Sequence, residues 1–221
     1  MPSSVITPQE LVTGQRMDVE EFLRRWEKLP ELKNAELIDG VVYVSSPVSP
    51  KHTYRDFRIH WWLAQYKDAT PGCEGGSNGT WLMADSTPQP DAFLRIARGG
   101  QSVETEQWFT GAPELAVEVC VTSAKLDLGP KLRLYQKAGV QEYITVEVPE
   151  KRIVWRVLEA GAYVAQELPA DGTFRSRIFP GLWLDVAAYW ADDGPKMQAA
   201  LNAGLAMEEH QRFVKRLANK E

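Results

Sequence analysis

A chain of 221 residues with 44% hydrophobic and 25% charged side chains can bury one substantial core, and is most simply a single globular domain with additions. Its net charge of -5 argues against a strongly basic, nonspecific nucleic-acid binder, but not against a nuclease, in which only the cleft must be positive. No run approaches the ~18 to 20 apolar residues of a membrane span, the first residues lack a basic-then-apolar leader, and Cys73 and Cys120 fit neither a disulfide framework nor a zinc spacing. A cytoplasmic protein with free thiols is expected.

Residues 1–16 have no clear period and read as a loose arm. A helix should start at Met17, with Asp18 as N-cap, Glu21 as its capping-box partner and Met17 stapled against Phe22; Phe22, Leu23, Trp26 and Leu29 supply its buried face and Pro30 ends it. Asp39-Gly40 between two β-branched runs predicts a hairpin of residues 35–38 and 41–44. Residues 51–67 read as a helix with one stripe of Tyr54, Phe57, Trp61 and Ala64 and another of Ile59, Trp62, Leu63 and Tyr66. Such a helix needs cover on two sides, from the sheet and from something else, a partner subunit being one candidate. His52 at its start could reach a phosphate or shape a cleft, or simply serve as a cap or surface residue. The glycine-rich stretch 71–79 lacks the Lys-Ser/Thr of a phosphate loop and reads as a flexible loop before a strand at 80–84. Residues 85–89 turn the chain towards Asp91, and residues 99–111 form a polar loop whose Trp108 could line or cover a cleft.

The chemistry concentrates between Pro90 and Tyr135. Leu115 to Val121 is apolar and β-branched enough for a strand buried on both faces, yet Glu118 stands in its middle. A carboxylate there must be paired, protonated or bound to a cation. Asp91 opens a second apolar strand, Ala92–Ile96, directly after a proline that cannot donate to a ladder. If the two strands are neighbours, the carboxylates converge. Gly129-Pro130 reads as a helix start and Gly139 as its stop, and Lys131 interrupts the apolar stripe of Leu128, Tyr135 and Ala138. Its ammonium also opposes the dipole of a first helical turn. Two acidic oxygen ligands and a lysine suit hydrolysis of a phosphodiester with Mg²⁺ or Mn²⁺. The lysine would orient the water or balance developing charge. The alternatives are a buried Glu118–Lys131 ion pair, a turn-capping role for Asp91 and simple core packing for Tyr135.

Residues 142–146 alternate like a strand at the far side of the sheet. A hairpin of 152–158 and 163–168, then a strand at 173–178, makes an antiparallel addition over about 151–184, and Asp185 caps a short helix to Trp190. Within a domain of 17–194 these complete the core. Residues 195–221 form a helical tail whose apolar face is sparse: Met197, Leu201, Leu205, Phe213 and Leu217. Arg212, Lys215, Arg216 and Lys220 there read first as a solvated face, with nucleic acid or a second protomer as other destinations.

Pro90-Asp91 followed by Glu118 resembles the PD-(D/E)XK signature of restriction-endonuclease-like nucleases. The longer pattern, Pro113-Glu-Leu-Ala-Val-Glu-Val with Ser123, then Lys131, Tyr135, Gly139-Val140 and Glu142-Tyr143, resembles the Uma-two family of bacterial endonucleases from about Met17 to Trp190. The resemblance implies an α/β (α+β) fold with a central mixed β-sheet flanked by helices, and DNA as substrate. It implies that Asp91 and Glu118 hold the metal with the backbone carbonyl of Val119, and that Glu36 is a third carboxylate of the site; as a residue, Glu36 reads equally as a solvent-facing strand position. Cys120 stands where the signature has lysine, and the resemblance implies that Lys131 on the following helix has taken over. Three functions follow: a metal-dependent endonuclease; a nuclease-fold module that only binds nucleic acid or dimerises; and a hydrolase of small phosphate esters. A homodimer is expected.

Overall fold

The computed structural model describes residues 10–45 and 47–219. Helix α1 (Val19–Trp26) starts where its cap demands, Asp18 Oδ1 accepting from the Glu21 N–H at 2.8 Å. Strands β1 (Ala35–Ile38) and β2 (Val41–Val44) pair across Asp39 and Gly40, both at positive φ, the backbone that a tight two-residue turn requires. Phe22 packs with Ala35, Leu37 and Val42 in a small apolar cluster of its own. Of the arm expected over residues 1–16, residues 10–16 lie against this hairpin: Leu11 is buried in the cluster and the Gly14 N–H donates to the Val42 carbonyl. Residues 1–9 fall outside the described residues.

Helix α2 (Pro50–Asp68) begins with Ser49 as N-cap and Pro50 in its first turn. It buries Ile59, Trp62, Leu63 and Tyr66. The second stripe is not buried: Tyr54 and Phe57 are 74% and 70% exposed. Strand β3 (Cys73–Gly76) is an edge strand where a flexible loop was expected, and the reason is its glycines. A Cβ at Gly75 would stand 2.9 Å from Leu94 Cδ2, and one at Gly76 2.9 Å from Phe93 Cζ. Loss of those side chains lets the strand lie flat against its neighbour. Strand β4 (Trp81–Leu82) is shorter than expected.

The main sheet continues with β5 (Ala92–Ile96). The loop after it folds into β6 (Ser102–Glu104) and β7 (Phe109–Gly111), which join β4 in a separate small sheet, and Trp108 stacks on Trp26 at 6.3 Å. Next come β8 (Leu115–Cys120), a helical turn α3 (Ala124–Leu126), a π-helical turn (Asp127–Lys131) and α4 (Leu132–Ala138), which ends at Gly139 with φ 87°. The helix therefore starts earlier than Gly129-Pro130 suggested. Pro130 sits inside the π turn, where its missing N–H leaves the ordinary ladder open.

Strands β9 (Glu142–Glu147), β10 (Arg152–Glu159) and β11 (Ala162–Ala165) complete a mixed sheet in the order β11-β10-β9-β8-β5-β3, with β8 and β9 parallel and the other pairs antiparallel. Strand β9 is internal rather than at the far side, and all of it is buried. Its alternation misleads because helices cover both faces of the sheet. One face carries Leu115, Val117, Val119, Ile144 and Val146 against α2 and the C-terminal helices; the other carries Phe93, Ala116 and Tyr143 against Leu134 and Tyr135 of α4.

Strands β12 (Thr173–Arg175) and β13 (Trp183–Asp185) form the last hairpin, and Asp185 caps α5 (Val186–Ala191) as expected. Helices α6 (Gly194–Leu205) and α7 (Glu208–Ala218) bury Met197, Leu201, Phe213 and Leu217 in the main core. Full burial of each such side chain contributes about 1.5–3 kcal/mol, which anchors these helices to the sheet. Arg212 pairs with Glu208 on the solvated side, and Lys220 lies outside the described residues. No helix among the described residues is long and apolar enough to cross a membrane.

Candidate active site

Strands β5 and β8 are neighbours, with Ala92 opposite Val117, so one further step of this antiparallel register sets Asp91 opposite Glu118. Side chains opposite one another in such a pair share a face. Pro90 has no N–H to extend the ladder, and Asp91 turns its carboxylate inward instead: Oδ2 accepts from the Val119 N–H at 2.7 Å and lies 3.3 Å from His52 Nε2. Helix α2 reaches Asp91 a second time through His60, whose Nε2 stands 2.8 Å from the Asp91 carbonyl. Burial would raise the Asp91 pKa, but His52, Lys131 and the Val119 N–H outweigh it and hold the carboxyl below its ordinary range. The Asp91 carboxylate in turn lifts His52 above the usual histidine range.

Glu118 is 2% exposed. Its Oε1 receives Lys131 Nζ at 2.5 Å and the Tyr135 hydroxyl at 2.9 Å. Lys131, equally buried, also meets Glu36 Oε1 at 2.9 Å and donates to the Gln89 carbonyl at 3.3 Å. Gln89 closes the circuit, its own N–H donating to Glu36 Oε1 at 2.6 Å. Burial pushes Glu118 well above the ordinary carboxylate range, Lys131 pulls it back in part, and Asp91, Asp127 and Glu36 push it further up. Burial would lower Lys131, yet the surrounding carboxylates win and hold it as an ammonium. The Tyr135 hydroxyl, raised well above its usual value by burial and by Glu118, stays a donor and holds Glu118.

Glu36, Asp91, Glu118, Lys131, His52, Tyr135 and the Val119 backbone are thus brought together from β1, β5, β8, the π turn, α2 and α4. Asp127, His60 and Asp56 also belong to this neighbourhood and had no sequence reading, and Gln89 was read only as the end of the 85–89 turn. Asp127 opens the π turn one turn before Lys131, is 2% exposed, and its Oδ2 has no hydrogen-bond partner among the described residues. Asp56 lies 3.5 Å from His60, and burial pushes its carboxyl up to about 6. His52, Asp56 and His60 follow at intervals of four on one helix face, a spacing that was there to be read. Cys120 is buried, and burial with Asp127 beside it raises its thiol, so it is neither thiolate nor a substitute for the signature lysine.

Glu36, Asp91, Glu118 and Asp127 share one ammonium, Lys131, and one imidazole, His52, and burial raises the Asp127 carboxyl as it raises Glu118, so the cluster holds more acid groups than cations. Hard oxygen donors are what a hard divalent cation takes, while no three His, Cys, Asp or Glu side chains among the described residues are arranged to hold an ion by themselves. The bonds to Asp91 land on Oδ2 and those to Glu118 on Oε1, outside which each carboxylate has a second oxygen.

The crystal structure of "a putative nuclease belonging to DUF820" from Anabaena variabilis has the same fold: TM-score 0.63 at 15% identity, covering 79% of this chain and 98% of that one. No curated protein matches the chain. The sequence profile of the Uma2 family, described as "Putative restriction endonuclease", matches residues 19–187, so the chain belongs to that family.

Proposed function

We propose that this chain is a metal-dependent endonuclease that hydrolyses phosphodiester bonds in DNA. The reading rests on the meeting of Asp91, Glu118 and Lys131, three ionisable side chains from separate segments, on one face of the sheet, in a chain of a restriction-endonuclease family. Asp91 and Glu118 would hold Mg²⁺ or Mn²⁺ with the Val119 carbonyl, and Glu36 would assist through Lys131. When bound, the ion would polarise a phosphoryl oxygen and supply a nucleophilic water at neutral pH.

The chain's own groups divide the remaining work. Lys131, held charged, cannot take a proton; it donates and offsets negative charge as the phosphate reacts. Tyr135 and Lys131 together fix Glu118, and the Val119 N–H fixes Asp91, so the acid pair is preorganised. His52, with 15% of its side chain exposed beside Asp91, is the group to meet a phosphate oxygen from the open side. We place its action in the cytoplasm. Tyr54 and Phe57 on the outer face of α2 would serve a homodimer, to be decided by sedimentation equilibrium.

The test is nicking of plasmid DNA with Mg²⁺ or Mn²⁺. Wild-type protein should nick, and Asp91→Ala and Glu118→Ala should each lose activity; activity that survives in both removes the assignment. A second reading, a module that binds nucleic acid without cleaving it, is favoured by the close neutralising contact of Lys131 with Glu118 and by Cys120 at the signature position. Nucleic-acid binding with no nicking by wild type in either metal would select it.

A further inference from the structure

Asp127 is the buried acid that the proposed function does not use. Its neighbours serve only part of it: Ser123 holds the carboxyl by a side-chain hydrogen bond, Lys131 divides its short contacts between Glu118 and Glu36, and Asp127 Oδ2 is buried with no partner among the described residues. Its backbone is nonetheless fixed, since the Tyr143 hydroxyl donates to its carbonyl at 2.9 Å and the Asp127 N–H donates to the Ser123 carbonyl at 3.0 Å. A rigidly placed, unpartnered carboxylate oxygen in a buried site costs free energy unless something fills it.

We propose that Asp127 is a further residue of the cation site, its Oδ2 accepting hydrogen bonds from water that the ion carries. This rests on the metal-dependent reading above. The water-mediated role follows from two observations. Among the described residues no three His, Cys, Asp or Glu side chains stand together as a ready cage for an ion, and Mg²⁺ characteristically keeps several waters while taking one or two carboxylates. An acceptor for those waters, set in a turn that also presents Lys131, orients the ion from outside its first ring of ligands.

The experiment is titration of full-length protein with Mn²⁺, followed by the magnetic-resonance signal of the free ion, together with thermal unfolding with and without Mn²⁺. Asp127→Asn should bind Mn²⁺ about ten- to a hundred-fold more weakly than wild type, and its Mn²⁺-induced rise in Tm should shrink. Its metal-free Tm should equal or exceed that of wild type, because a buried acid with an unpartnered oxygen has gone. Asp127→Ala, which adds no new donor, should weaken Mn²⁺ binding likewise. Wild-type affinity in both variants overturns the inference while leaving the proposed function standing. Metal-free Asp127→Asn and Asp127→Ala that both fail to fold, or both melt well below wild type, also overturn it, since the carboxylate would then be part of the framework. If wild type itself takes up no Mn²⁺, the metal-dependent reading falls and this inference with it.

Discussion

Glu114 and Glu118 are four residues apart, and both are almost fully buried, yet they do opposite things. Glu114 spends both oxygens on backbone amides, Oε2 on the Ile96 N–H at 2.8 Å and Oε1 on the Gln101 N–H at 2.9 Å, and so clamps the loop between them. Glu142 behaves in the same way, accepting from the Ser176 hydroxyl at 2.6 Å and the Arg177 N–H at 2.7 Å. Glu118 is met by a lysine and a tyrosine and stands among three further carboxylates. A buried acid saturated by peptide N–H groups is framework. One whose partners are ionisable, in a cluster with more acids than cations, is set up for chemistry.

That contrast can be broken most forcefully at Lys131. Lys131→Met leaves the acids without their ammonium, and the metal-free protein should lose about 3–5 kcal/mol in denaturant titrations. Mn²⁺ should restore part of the loss; a variant as stable as wild type would put Lys131 outside the cluster's electrostatics.

Of the framework acids, Glu142 should answer to pH. Glu142 is pushed up by burial from an ordinary 4.5 to about 7. A raised folded-state pKa favours the protonated form, so its stabilising contribution is full below about 4.5 and is lost as pH rises through about 7. Relative to Glu142→Gln, wild type should therefore lose up to about 3 kcal/mol between pH 4 and pH 8. A constant difference across that range would refute the assignment.

The smallest effect sharpens the pair directly. Glu114→Ala strands two amides and should cost about 2 kcal/mol of stability, while nicking by the folded fraction stays near wild type. Glu118→Gln should do the reverse, with nicking lost and the fold kept. Equal behaviour of the two variants in both assays would erase the distinction.

Much of this arrangement was legible from local pattern, for reasons that can be named. A glutamate in an unbroken β-branched run is conspicuous whatever surrounds it, and a proline before an aspartate marks where a ladder must stop. The Asp39-Gly40 hairpin and the Asp18 and Asp185 caps are equally local, since each is satisfied within a few residues. Asp127 was not legible, because an acid four residues before a lysine ordinarily reads as an exposed helical ion pair. Nor was β3, whose glycines serve contacts with Phe93 and Leu94, side chains of another strand.

The amino-acid order alone fixed which groups are chemically out of place: Glu118 among valines, and Lys131 in an apolar stripe. Only the three-dimensional packing decided who meets them. The register of β5 on β8 aligns Asp91 with Glu118, and the π turn delivers Lys131 to Glu118 and Glu36 while leaving Asp127 Oδ2 unpartnered. Propensity and burial act through near neighbours in the chain, whereas charge compensation in a dry interior depends on distance in space, which no linear spacing specifies.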